Sequence, residues 1–149
     1  MYIKFEEKMN GFKTLVRVKL GIELVRKCGD RDSTEQARLY AIGRDAQGNV
    51  VDQLKVVTNA PAGSSWHEYG LAEDIAPKDW NLKQSEIDAI GLLGKSLGLE
   101  WGYYIKDRNG KQLHDWPHWQ FTNGIKIWQA KQIVRASGIE ELWKAVNIY

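Results

Sequence analysis

Residues 71–76 (LAEDIA) and 118–122 (HWQFT) both alternate with a period of two, and each sets a potential metal ligand opposite apolar side chains. Successive side chains of a strand point to opposite faces. Ala72, Asp74 and Ala76 therefore share one face of the first segment, and Leu71, Glu73 and Ile75 the other. In the second, His118, Gln120 and Thr122 face one way while Trp119 and Phe121 turn toward a core. Pro117 cannot sit in a central strand, so it marks the strand start and leaves Asp115 on the loop above.

The flanking sequence supplies helices. Residues 12–20 mix apolar and lysine positions as a short helix does, and 22–25 reads as a strand stub. Ser33 followed by Gln36 has the capping-box pattern, opening a helix that stops at Gly43. Residues 53–59 (QLKVVTN) read as a strand. Ser85 opens a further helix with an apolar stripe of Ile87, Ile90, Leu93 and Leu97, ended by Gly98. A strand is expected over 99–105, a hairpin at Asp107-Arg108-Asn109-Gly110, and closing helices over 125–136 and 139–147. Strands clustered mid-chain among helices give an α+β fold, a small central antiparallel β-sheet flanked by helices. With 149 residues and no linker rich in Pro, Gly or Ser, the expectation is one domain, 1–149.

Composition excludes several classes. A net charge of +2 is too small to imply nucleic acid. Residues 4–31 carry eight Lys or Arg against four Asp or Glu, read as a solvated face that would also suit an anionic wall polymer. The single Cys28 excludes an internal disulfide and a Cys-rich zinc knuckle. No apolar run is long enough to span a bilayer, and the charged start has no signal-peptide core, so synthesis in a cytoplasm without membrane insertion is expected. Most of the seven Trp are assigned to the core.

The chain has three histidines: His67, His114 and His118. Two small alanines flank Asp74 on its face and leave room for an ion, and Gly70 lets the chain turn so that His67 folds back over it. Two imidazoles and one carboxylate leave a fourth tetrahedral position open, the catalytic zinc arrangement. Nickel, cobalt and iron stay open on ligand type. Asp115 is placed to exchange protons as the general base and acid. His67-Glu68 begins like the H-E-x-x-H zincin helix, but residue 71 is leucine, so Glu68 is read as a surface carboxylate.

Ser65-x-His67-x-x-Gly70-x-Ala72-x-Asp74, with Asp115-x-Pro117-His118 downstream, closely resembles the L-alanyl-D-glutamate endopeptidases of phage endolysins and spore-former wall hydrolases. These lie within the D-Ala-D-Ala metallopeptidases, whose fold is shared with the hedgehog domain. Arg31-x-Ser33-x-x-Gln36-x-x-Leu39-Tyr40-x-x-Gly43-Arg44 extends the match upstream. The resemblance implies one Zn2+ per chain on His67, Asp74 and His118, with Asp115 as general base and acid. It sets Arg31 near the substrate, against a helix-entry salt bridge as the bland reading. It makes Ser65 a supporting or substrate contact, and Gln120 is added as a groove-lining substrate contact. Gln36 is expected to pack or cap.

Three features depart from the pattern. Asp30 stands where an aromatic is usual, Tyr103-Tyr104-Ile105 replaces Gly-Asp-Trp, and His114 has no counterpart and is read as a solvated loop residue. Asp at 115 favours the L-Ala-D-Glu branch. The expected activity is zinc-dependent hydrolysis of the L-Ala–D-Glu bond in the peptidoglycan stem peptide by a monomer. The expected setting is wall lysis, after holin-mediated release or from a phage virion. The alternatives are a D,D-carboxypeptidase or dipeptidase acting on D-Ala-D-Ala, and a non-catalytic hedgehog-like zinc module.

Overall fold

The computed structural model describes residues 2–106, 110–112 and 114–146. The chain opens with an 18-residue helix, α1 (Ile3–Leu20), longer than the helix expected over 12–20. Phe5, Met9, Phe12 and Val16 recur at helical spacing and are fully buried, so the apolar stripe already runs through the charged N-terminal segment. There follow β1 (Leu24–Cys28), α2 (Ser33–Ala41), β2 (Ala72–Pro77), α3 (Gln84–Ser96), β3 (Glu100–Trp101), β4 (His118–Gln120), α4 (Ile127–Ser137) and α5 (Ile139–Val146). The four strands form one antiparallel sheet in the order β1-β2-β4-β3. The architecture is the expected α+β one.

Helices cover one face of the sheet. Trp119 of β4 stacks on Trp101 of β3, with ring centres 5.0 Å apart, and meets Phe12 of α1 at 4.6 Å. α3 approaches so closely that a Cβ on Gly94 would lie 2.1 Å from the Trp119 ring. Glu73, 1% exposed, takes an ion pair from Lys13 of α1 at 3.1 Å. The alternation then turns Asp74, His118 and Gln120 to the opposite, open face. Asp74 lies directly across from His118, and Gln120 is flanked by Ala72 on one side and Glu100 on the other.

Several local expectations are corrected. Residues 53–59 form no strand: Asp52 caps a 3-10 turn at Gln53–Lys55, and Leu54 is 98% exposed, so the segment has no neighbour to bury an apolar face against. The strand expected over 99–105 stops after two residues. A Cβ on Gly102 would sit 2.6 Å from the Asp115 carbonyl oxygen, and the chain turns there instead of continuing the ladder. α2 is capped by Asp32, whose carboxylate accepts from the Glu35 N–H at 2.8 Å, while the Ser33 hydroxyl donates to Glu68 at 2.8 Å. The hairpin turn expected around Asn109 lies outside the described residues, flanked by an antiparallel bridge between Lys106 and Gln112. Of the seven Trp, Trp80 and Trp128 are exposed.

The closing helices form as expected and dock on the body. Leu142 and Val146 are fully buried, and the Trp143 indole stacks on Tyr2 and donates to the Tyr69 carbonyl at 2.8 Å. No helix among the described residues is long and apolar enough to cross a membrane.

Candidate metal centre

His67 lies in a 3-10 turn, Trp66–Tyr69, that Gly70 ends at a φ of 67°. Only glycine enters that left-handed region without strain, and it lets the chain pass directly from the turn into β2. Glu68 fastens the turn by accepting from the N–H groups of Gly63 (2.8 Å) and Ser65 (3.2 Å), which agrees with a structural rather than a proton-transferring role. The Arg31 N–H donates to the His67 carbonyl at 3.3 Å, tying the loop after β1 to the same turn.

Three lone-pair atoms converge over the open face of the sheet. His67 Nε2 is 3.1 Å from His118 Nδ1, and Asp74 Oδ1 is 3.2 Å from the first and 3.3 Å from the second. Hydrogen bonds behind the rings decide which nitrogens are bare. His67 Nδ1 lies 2.7 Å from the Gly29 carbonyl, an acceptor only, so Nδ1 carries the proton and Nε2 a lone pair. His118 Nε2 lies 2.9 Å from Gln120 Oε1, which leaves Nδ1 bare in the same way. Donors about 2.0–2.1 Å from a tetrahedral zinc ion are about 3.3 Å from one another, so this triangle has the right size. Two neutral imidazoles and a carboxylate suit that ion, and three acceptors facing one another are satisfied by a cation, or by shared protons, between them.

The electrostatics agree. In the metal-free protein, protons on the two imidazoles take the cation's place: burial opposes ionisation of Asp74, but hydrogen bonds from protonated His118 and His67 and their charges outweigh it and hold the carboxyl well below the usual range. Burial likewise works against a charged His118, yet Asp74, Gln120 and Asp115 together raise its pKa. The group draws positive charge.

Asp115 stands on the loop before β4, its N–H donating to the Gly102 carbonyl at 3.3 Å. Its carboxyl is within electrostatic reach of His118, Asp74, His67 and Arg31. Loss of solvent on its inner side raises its pKa; the His118 charge opposes this, Asp74 adds to it, and His67 and Arg31 oppose it. Arg31 is held by Gln36, whose Oε1 accepts from Nη1 at 2.8 Å, and by the Cys28 sulfur at 3.5 Å from Nη2. Ser65 and Gln120 are buried, at 8% and 7% exposure. His114 is exposed and adopts a φ of 54°, with its ring 5.3 Å from that of Tyr103.

Gln36 is expected from the sequence to pack or cap, with no link to Arg31, and neither Cys28 nor Glu100 is given a place at the site there. Gln36 is fully buried, takes Arg31 on its oxygen and donates to the Ala60 carbonyl at 2.5 Å, so it is the brace of the arginine. Cys28 brings its sulfur into a group with donor atoms of His67 and Asp74, all within 4.8 Å of one another, at the edge of the tighter histidine–aspartate triangle. Glu100, across the strand pair from Gln120, accepts from its amide N–H at 3.1 Å. The Arg31–Gln36 spacing across the start of α2 was the one visible signal.

No family model matches the chain. Among solved structures, it superposes on the vancomycin-resistance D,D-pentapeptidase VanY in complex with Zn(II), with a TM-score of 0.58, 19% identity, and coverage of 95% of this chain and 82% of that one. VanYB in complex with D-alanine-D-alanine gives 0.60 at 19% identity, covering 97% and 82%. The chain has the VanY-type peptidase fold. The LD-carboxypeptidase LdcB shares it at a TM-score of 0.56 and 18% identity, covering 91% and 70%. In sequence, the chain is a homologue of the peptidoglycan L-alanyl-D-glutamate endopeptidase CwlK of Bacillus subtilis (strain 168), 35% identical over 111 residues. That match takes in 66% of this chain and spans 60% of the length of CwlK.

Proposed function

We propose that this chain is a zinc-dependent peptidoglycan peptidase that hydrolyses the L-Ala–D-Glu bond of the stem peptide. The observation that carries the reading is the triangle of His67 Nε2, Asp74 Oδ1 and His118 Nδ1 at 3.1–3.3 Å, beside the Asp115 carboxyl. Zinc held there supplies a water acidified to a pKa of about 7 and a Lewis acid toward a carbonyl. Asp115 accepts the proton from the attacking water and passes it to the leaving amine. Arg31, braced by Gln36, offers its guanidinium to the developing oxyanion or to a substrate carboxylate. The burial of Ser65 and Gln120 favours a role beneath the ligands over direct substrate contact.

The choice of bond rests on the homologue CwlK and on the surroundings of the site. A carboxypeptidase needs a cationic stop for the terminal carboxylate beyond Arg31, whose guanidinium serves either reading. Here Tyr103, Trp116 and Trp80 form a run of ring contacts 5.4–6.4 Å apart. Lys106 lies exposed along the separate groove between α3 and β3. Wall lysis by a monomer, released from a phage-infected cell or carried on a virion, belongs to the same proposal. Mass spectrometry of muropeptides after digestion of purified sacculi tests it. The expected products are peptides beginning with D-Glu and glycan strands that keep L-Ala. Free D-Ala as the main product, with the L-Ala–D-Glu bond intact, would establish the carboxypeptidase reading instead.

A further inference from the structure

Gln120 cannot by itself decide which way round its amide sits. An amide has an oxygen and an NH2 group of nearly equal size, so a histidine beside it can meet either. His118 Nδ1 faces the metal centre bare only if Nε2 carries the proton, and Nε2 carries it only if the amide oxygen faces the ring. The next contact outward breaks the symmetry. Gln120 Nε2 lies 3.1 Å from Glu100 Oε2, and a carboxylate accepts but does not donate. Turning the amide over would set its oxygen against that carboxylate and its NH2 against the ring N–H.

Glu100 is itself held in place. Its other oxygen accepts from the Thr122 N–H at 3.2 Å and from the Thr122 hydroxyl, and that hydroxyl accepts from the Gly124 N–H at 3.2 Å. Every bond in the run has one allowed direction, from Gly124 through Thr122 to Glu100, and from His118 through Gln120 to Glu100. The sheet builds this row. β3 is an edge strand of two residues; Trp101 packs against Trp119 in the core, and Glu100 lies directly across from Gln120 on the open face.

We propose that Glu100, acting through Gln120, is the positioning residue that fixes the tautomer and orientation of His118 toward the metal. The inference rests on the zinc reading of the site. Partners behind a metal-bound histidine are generally worth a factor of about 10–100 in metal affinity.

Zinc affinity is to be measured by competition with a chromogenic chelator. The His118 tautomer is to be read from ring nitrogen shifts of the metal-free protein at alkaline pH, and folding from its thermal midpoint. Gln120→Leu should fold, bind zinc about 10–100-fold more weakly and lose the single Nε2–H tautomer. Glu100→Gln, which frees the amide to turn over, should weaken zinc binding in the same direction. Exchanging the pair, Glu100→Gln with Gln120→Glu, puts a carboxylate directly behind His118 and should bring affinity back to within about threefold of the parent. A folded Gln120→Leu with the parent's zinc affinity and tautomer overturns the proposal. If that variant does not fold, Glu100→Gln decides, and unchanged affinity and tautomer there overturn it equally. Failure of the zinc reading looks different: the parent would bind no zinc, while the tautomer signal would still respond to Glu100→Gln.

Discussion

Asp115 and His118 are three residues apart at one loop-to-strand junction, and substitution separates their roles. Asp115→Asn keeps the shape of the side chain but cannot accept a proton. Turnover on sacculi should fall by about two to four orders of magnitude while bound zinc stays at the parent level. The same variant carries a stability signature. Because the folded pKa of Asp115 is raised, its ionisation works against the fold. That penalty grows as pH rises from the ordinary carboxylate range through the raised value, and is complete above it. With zinc removed and at neutral pH, Asp115→Asn should therefore melt no lower than the parent, whereas a merely structural aspartate would give a lower melting point. His67, His118, Asp74 and Asp115 were legible as a group because their spacing resembles a known family and the period of two sets Asp74 and His118 on the faces of their strands; strand pairing then brings them together. The parts played by Glu100 and by Gln36, expected only to pack or cap, were not legible. Their partners, Gln120 and Arg31, become neighbours only through strand pairing and through the path of the chain around α2.

The two strands that carry Asp74 and His118 are supported by what covers their other face, and two substitutions probe that support. Glu73 is 1% exposed, with Lys13 at 3.1 Å and Arg26 at 3.8 Å. Lys13→Met should cost about 3 kcal/mol, the low end for a broken buried pair because Arg26 remains. An equal melting point would show the pair to be dispensable. Gly94→Ala places a methyl 2.1 Å from the Trp119 ring, which Trp101 and Phe12 prevent from yielding. Ala ordinarily favours a helix by about 1 kcal/mol over Gly. Here overpacking should reverse the sign, for a net loss of about 2 kcal/mol in chemical denaturation. At this scale the sequence was readable wherever an apolar face had a partner, as in β2, α3 and α4. It misled at residues 53–59, where strand-like residues have nothing to pair with, and beyond Trp101, where a turn against Asp115 and His118 overrides strand propensity. α1 was read too short because lysines and glutamates on its outer face hide the stripe at Phe5 and Met9.

For the molecule as a whole, helices insulate one face of a small sheet and leave the other to polar groups. The C-terminal helices complete the body through Trp143 on Tyr2 and Tyr69, which braces the turn that carries His67. The rest of the account depends on whether the three converging donors hold a metal. Elemental analysis of the purified protein tests this most directly, with His67→Ala and His114→Ala prepared alongside. One zinc per chain is expected in the parent and in His114→Ala, and essentially none in His67→Ala. A parent protein without metal, whose activity on sacculi is indifferent to chelators, would contradict the account.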